Sequence, residues 1–447
     1  MQVNAQAAGG NQDGGTIQIV GQTFTASGNP NLNAFGSGSG SGGTVTVQST
    51  QAGNNITVGT TSPDIRVNVS GGPNGAAGTV NLSAGGNLVV NTVNLLSTTG
   101  NNQKGATLNF NSGLGGAGIT QIIGSLDVSG NGTGDGGTIN LSTNSGTAFT
   151  VSGGPNGVTG TLKANSGATG GDGGTINIKN SGTGGITVTN AAAVSVAPLA
   201  NGAGGTLILD AAAGATPGVV SLAGGTYDAS ALGGNNNGGI VTVKGSQTIG
   251  TGAGPVTILA DASGTGNGGT VQLIATAAGS TATIGNSAGQ FILDARGGSV
   301  GSASGNGGTV EARQGGNLTV TNPTLLDSAA LGTNGNGGTY ILEAGSAGLG
   351  NLSIAGSLNA QGGGAGGAGT GKGGVVQLTS NSATTFLVNG GPTTNGIDGT
   401  VGASGGATSG AGGSVSIINR NTGGITYQCW RCHSGSTDKR QWWHHNP

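Results

Sequence analysis

Charge is scarce in this sequence. Lys, Arg, Asp and Glu together make up 6 % of 447 residues, and the formal net charge is -2. A chain this neutral has no field with which to steer a polyanion, which argues against nucleic acid and anionic lipid as partners. Aromatic residues are only 3 %. Cysteine occurs twice, at Cys429 and Cys432, so no disulfide framework holds the fold. No run of about 18 apolar residues exists, so no transmembrane helix is expected. The segment Met1-Gln2-Val3-Asn4-Ala5-Gln6 lacks the basic-then-apolar pattern of a signal peptide. Either the chain is cytoplasmic or the start of the exported protein lies outside it.

Glycine, by contrast, supplies 104 of the 447 residues, against an ordinary usage of about 7 %. Without a period, that level of Gly and Pro reads as disorder. The period is therefore decisive. The phrase Gly-Gly-Thr, followed by apolar, polar and apolar residues, occurs as Gly14-Gly15-Thr16-Ile17-Gln18-Ile19 and Gly42-Gly43-Thr44-Val45-Thr46-Val47. It returns at Gly136, Gly173, Gly204, Gly268, Gly307 and Gly337, with looser versions from Ala77, Gly105, Gly238, Gly373 and Gly412. These thirteen starts are spaced by about 33 residues on average, a period that marks a stacked array.

Each phrase is a strand signature, with period-2 alternation and β-branched residues. A second short strand follows within many periods, as at Asn87–Val90, Ile186–Thr189 and Asn317–Val320. A third follows at Ser125–Val128, Phe291–Asp294 and Ser357–Ala360. No stretch has the 3.6-residue period of a capped helix. Three short strands with Gly-rich turns make one coil of a β-helix, whose inward Val, Ile and Leu form a core only when coils stack. Thirteen coils at about 4.8 Å each give a rod on the order of 60 Å long. The expected fold is all-β: a right-handed parallel β-helix, or β-solenoid, of about 13 coils. Long glycine stretches such as Gly36–Gly43 and Gly362–Gly374 are expected to be mobile, because glycine loses the most entropy on ordering.

A longer repeat overlies the short one. Residues 85–190 match 315–428, with Gly-Gly-Pro at Gly153 and Gly390 and Gly-Gly-Ile-Thr at Gly184 and Gly423. A third Gly-Gly-Pro starts at Gly71. The organisation is thus solenoid repeats over 1–426, internally duplicated, and a non-repeat tail over 427–447. Val3-Asn4-Ala5-Gln6 mirrors Leu358-Asn359-Ala360-Gln361, so the chain reads as starting in mid-repeat.

Phrases such as Gly86-Asn87-Leu88-Val89-Val90, Gly124-Ser125-Leu126-Asp127-Val128-Ser129-Gly130 and Gly305-Asn306-Gly307-Gly308-Thr309-Val310 resemble the repeats of filamentous-haemagglutinin-like bacterial exoproteins. The resemblance covers residues 1 to about 426, without a counterpart of that family's N-terminal secretion domain. It implies a right-handed parallel β-helix, export to the cell surface or medium, and a role in adhesion, biofilm formation or toxin display. The expected function is a fragment of a large secreted or cell-surface repeat protein with a structural or adhesive role. The partners it implies are host or cell-surface glycans or proteins, or other copies met through the solenoid ends.

Three site chemistries compete with this reading. Carbohydrate-active β-helix enzymes need clustered carboxylates or an Arg or Lys base beside a metal. Here Asp13, Asp135 and Asp172 precede Gly-Gly, while Asp210 and Asp294 follow Leu and precede Ala. Such regular positions read as Asx-turn residues, with no local excess of acid, His and Arg. No catalytic, cofactor-binding or metal-binding residue is therefore expected, and the chain reads as a non-enzyme without a cofactor. Calcium-binding nonapeptides need Gly-Gly-x-Gly-x-Asp every nine residues, and Gly130–Asp135 comes near only once. The Thr44/Thr46, Thr187/Thr189 and Thr319/Thr321 pairs form too broken a row for ice binding.

The tail carries a local signal of its own. Cys429-Trp430-Arg431-Cys432-His433 matches the C-x-x-C-H pattern of haem attachment. All three Trp, all three His and both Cys lie between Cys429 and His445, in a chain otherwise without them. Shifted by one base, codons compatible with Arg440-Gln441-Trp442-Trp443-His444 spell Gly-Asn-Gly-Gly-Thr, the repeat phrase. The tail therefore reads as a frameshifted continuation of the solenoid, with a haem-attaching tail as the alternative.

Overall fold

In a computed structural model the described residues are 2–24, 30–58, 65–91, 103–300, 303–363, 369–391 and 394–428. They form a parallel β-solenoid. Thirteen strands build one sheet in strict chain order, from Thr16–Gly21 and Thr44–Ser49 to Val375–Ser380 and Ser414–Asn419. Every one of these strands begins two residues after one of the thirteen phrase starts in the sequence.

Register explains why the phrase repeats. Thr138 lies level with Thr107 on one side and Thr175 on the other, and Ile139 with Leu108 and Ile176. The alternation of the strand then sends Ile17, Val45, Val80, Leu108, Ile139 and Ile176 inward, each 0–4 % exposed, and the threonines outward. Burial of each such side chain contributes about 1.5–3 kcal/mol. A one-residue slip would turn the whole row to solvent, so the register is strongly fixed.

The two glycines before each threonine serve close approach, not turn geometry. A methyl group on Gly136 would overlap the carbonyl of Ala164, and one on Gly137 the carbonyl of Ala106. The Gly137 amide donates to the Val128 carbonyl at 2.7 Å and the Gly239 amide to that of Ala229 at 2.8 Å. The last residue of the third side of a coil is thus sealed against the first strand by glycine backbone, leaving no room for a Cβ.

Shorter strands form the second side, in a 16-stranded parallel sheet that includes Ile56–Val58, Leu88–Val90, Ile186–Val188 and Leu318–Val320. The third side is made of small parallel sheets, such as Leu126–Asp127 with Leu162–Lys163 and Val194–Ser195, and further along of the later residues of Val220–Asp228 and Thr248–Leu259 with Phe291–Asp294 and Leu326–Asp327, which are joined to the 16-stranded sheet. The three sides enclose a single apolar cluster running from Ile17 to Ile397. The Gly36–Gly43 stretch is tied down at both ends: Gly36 and Gly42 donate to Ser70 and Ala76 of the next coil, and Ser37 to Gln12 of the previous one. Of Gly362–Gly374, residues 364–368 lie outside the described residues.

Among the described residues, two coils carry a fourth strand intercalated on the second side. After Phe149–Val151 the chain turns at Ser152 (φ 66°) and inserts Gly157–Val158 between Phe149–Val151 and Thr120–Ile122 of the preceding coil. After Phe386–Val388 it turns at Asn389 (φ 58°) and inserts Gly396–Ile397 against Leu352–Ile354 in the same way. Ser152 and Asn389 are the non-glycine residues at positive φ among the described residues. The Gly-Gly-Pro signals at Gly153 and Gly390 therefore mark intercalated strands, with Pro392 outside the described residues. Strand Ile425–Tyr427 pairs with Phe386–Val388, and Gln428 donates to Val388, which carries the solenoid past residue 426.

Candidate functional surface

The outward face of the thirteen-stranded sheet is built in rows. Thr16, Thr44, Thr79, Thr107, Thr138, Thr175 and Thr206 follow one another across successive coils. The Thr44/Thr46 pair lies on this sheet, whereas Thr187 and Thr319 lie on the second side. The pairs singled out in the sequence therefore never meet. The row that exists is made by the threonine of the Gly-Gly-Thr phrase itself, a signal visible in the sequence only once the phrases are stacked.

Beside the threonines runs an amide ladder. Asn81 donates to Thr46 Oγ1 at 3.0 Å, Asn109 to Asn81 at 2.7 Å, and Asn140 to Asn109 at 2.7 Å. Asn177 continues the row, with its Oδ1 unpartnered. Charge first enters these outward rows at Lys179, level with Asp210, which is level with Lys244. The coils before Lys179 thus present a neutral face of hydroxyls and amides.

The acids resolve into three groups. Asp13, Asp135 and Asp172 accept from the next coil, at the amides of Ser41, Asp172 and Ala203 (2.6, 2.9 and 2.7 Å). Asn237, Asn267, Asn306 and Asn336 continue the same ladder, each taking an amide of the following coil at 2.8–3.0 Å. These side chains cross-link coils; they do not close Asx-turns. Asp210 does close one, accepting from Ala212 at 2.9 Å, as do Asp127, Asp228 and Asp327 on the third side.

Asp294 is not equivalent to Asp210. It lies on the third side, level with Asp327 of the next coil. Arg296 bonds Asp261 Oδ2 at 2.6 Å and Asp294 Oδ2 at 3.0 Å, while Asp294 Oδ1 has no hydrogen-bond partner. Burial, then contact with Asp261, pushes the Asp294 carboxyl up to about 8, although Arg296 opposes the shift. Asp327 is raised too, chiefly by burial. A local excess of acid and Arg therefore does interrupt the repeat, contrary to the sequence reading. Residues 261, 294 and 327 are about one coil apart, so only stacking assembles them.

A second ionic group lies on the thirteen-stranded sheet. Gln272 donates to Glu311 at 2.8 Å. Arg313 bridges Glu311 and Glu343, and Arg420 reaches back to Glu343. Glu343 is nearly buried, with its side chain 5 % exposed. A buried carboxylate is tolerated because two guanidinium groups neutralise it. Neither group brings together three or more His, Cys, Asp or Glu able to hold a metal, among the described residues. The Cys429, Cys432 and His433 motif lies outside the described residues.

The last described coil is open. Val415 and Ile425 occupy inward positions, level with Val376 and Phe386, yet they are 44 % and 47 % exposed. Tyr427, level with Val388, is 56 % exposed. Among the described residues no helix is long and apolar enough to cross a membrane. No family model, curated protein or solved structure matches this chain.

Proposed function

We propose that this chain is a display rod: part of a secreted or cell-surface repeat protein of bacterial exoprotein type, with a structural or adhesive role. The observation that carries the reading is the neutral outward face of the thirteen-stranded sheet over its first strands, from Thr16–Gly21 to Thr138–Thr143, with its stacked Thr row and Asn ladder. Its polar groups recur coil after coil, so each contact is weak while many act together, and avidity rises with the number engaged. The resemblance to filamentous-haemagglutinin-like repeats supports the same reading. Partners are then surface glycans or proteins, and the open last coil offers edges to another copy.

The test is retention of the purified chain on immobilised glycans, matrix proteins and whole cells. Saturable retention that survives any single outward Thr→Val substitution supports the rod. Absence of retention on every surface overturns it.

One observation favours a second reading, a carbohydrate-active enzyme. Asp294 holds a proton near neutral pH beside Asp261, the pairing that general acid catalysis uses. Arg296 occupies both carboxylates, which favours a structural role for the cluster. Polysaccharide cleavage abolished by Asp294→Asn would establish the enzyme.

A further inference from the structure

Among the described residues, second-side strands of neighbouring coils fail to pair directly at three places; intercalated strands fill two of them, and the third lies between Thr248–Gly250 and Ala282–Thr283. Thr248–Gly250 pairs with Val220–Leu222 of the preceding coil. The strand of the following coil, Ala282–Ile284, pairs onward with Leu318–Val320 and is joined backward only through Ile284 to Phe291. Phe291 in turn pairs with Val256, beyond the Gly252–Pro255 insertion. Among the described residues, Thr248–Gly250 and Ala282–Thr283 share no register pair. Between them lies a cleft of about 340 Å³.

The two intercalated strands show what closes such a corner elsewhere in the molecule. Asn156, two residues before Val158, accepts from the buried amide of Thr120 at 3.0 Å and donates to Thr147 at 2.8 Å. Asn395, two before Ile397, accepts from Leu352 at 3.1 Å and donates to Thr384 at 2.8 Å. Thr120, Leu352 and Thr248 are each the first residue of their strand. In the third case the residue two before Phe291 is Gly289, which brings no carboxamide. Thr248 is 2 % exposed, and its hydroxyl has no hydrogen-bond partner.

The walls around this corner are uncharged. Gln247, Thr248, Thr281, Thr283 and Gln290 supply amides and hydroxyls, and Ile249 and Ala288 are the exposed apolar residues of a mostly polar lining. We infer that the cleft binds a neutral saccharide carrying an acetamido group. The acetamido carbonyl accepts from the unpaired Thr248 hydroxyl, in the corner that an asparagine fills elsewhere, its methyl meets Ile249 and Ala288, and the sugar hydroxyls meet the Gln and Thr side chains. Charged sugars are disfavoured because no side chain of the lining can pair with them. The volume suits one or two sugar rings, at the small end of ligand sites. The assignment rests on the adhesive reading and gives it a ligand class and a place.

The experiment is titration of the full chain with N-acetylglucosamine and its β-1,4 disaccharide, against glucose, cellobiose and an N-acetylated asparagine amide, followed by saturation-transfer NMR. The expected result is at least ten-fold tighter binding of the acetamido sugars than of glucose and cellobiose. Gly289→Asn should reduce that binding at least ten-fold, because it supplies the carboxamide internally. Gly289 has φ +75°, near the 58° of Asn389, a region that asparagine tolerates better than most residues, and an unchanged melting curve is the check that the variant folds. Thr248→Val should weaken binding without altering the cleft's shape. Equal affinity for cellobiose, equal affinity for the asparagine amide, or undiminished binding by a folded Gly289→Asn variant each overturns the assignment. If Gly289→Asn leaves retention on glycan surfaces intact, this cleft is wrong while the rod stands. Absence of retention by the unaltered chain on every surface sinks the rod itself.

Discussion

Asn140 donates its side-chain amide to Oδ1 of Asn109 at 2.7 Å, from one coil to the next. Asn109 does the same to Asn81. The middle member therefore serves two neighbours, and its removal strands a donor and an acceptor. Asn109→Ala should cost about 1–3 kcal/mol, the range for leaving part-buried polar groups unpaired. Asn140→Ala breaks one ladder bond and should cost less. Chemical denaturation of the two variants decides it, and equal losses would show that the ladder contributes nothing cooperative.

The Gly-Gly pair makes a sharper prediction. A methyl group on Gly307 would overlap the backbone carbonyl of Ser328, whereas one on Gly254 would meet nothing within 4 Å. Gly307→Ala should destabilise the rod by about 2 kcal/mol or more, since overpacking against backbone has no cheap relief. Gly254→Ala should be neutral within about 0.5 kcal/mol. A tolerated Gly307→Ala would mean that the coils are spaced more loosely than the structure has them.

Asp294 sets a pH dependence of known sign. Its carboxyl titrates near 4 when unfolded and at about 8 when folded. Between those values the native state holds the proton that the unfolded state has lost, so stability falls as pH rises through the window. Asp294→Asn should leave stability unchanged near pH 4 and raise it relative to the parent chain above pH 8. Melting temperatures across pH 4–9 test this, and a constant offset would assign the titration to another group.

The intercalated strands predict paired effects. Asn156 and Asn395 each satisfy a buried backbone amide, that of Thr120 and that of Leu352. Alanine at either position should cost about 1–3 kcal/mol. Hydrogen exchange should speed up at Thr120 in one variant and at Leu352 in the other. Unchanged protection at those amides would show that the two asparagines do not secure them.

The open coil predicts concentration-dependent association. Val415, Ile425 and Tyr427 are exposed at positions that are buried in the coil beneath. Sedimentation velocity should show larger species as concentration rises, and Val415→Lys with Ile425→Lys should suppress them. A chain that stays monomeric at every concentration would show that this face is covered in solution.

Some of this was legible in the sequence. The repeat of Gly-Gly-Thr with alternating apolar residues located all thirteen strands of the long sheet, because a period-2 pattern and a glycine step are local properties of the chain. That Gly153 and Gly390 open related segments was also readable, though not that each feeds a strand into the gap below. Other features depend on coil length, which varies from repeat to repeat. Asp261, Asp294, Arg296 and Asp327 meet only because their coils bring them level, and Asp210, in a like sequence setting, falls on a different side. The Asp135 to Asp172 ladder looked like a set of turns because an amide one coil away is about 37 residues distant in sequence. Composition and periodicity determined that this chain stacks into a parallel β-solenoid, since an alternating apolar row that recurs once per repeat finds a continuous core only when the repeats stack. Only the tertiary structure decided which side chains stand next to one another along the rod, because register between coils is a property of the stack and not of any one repeat.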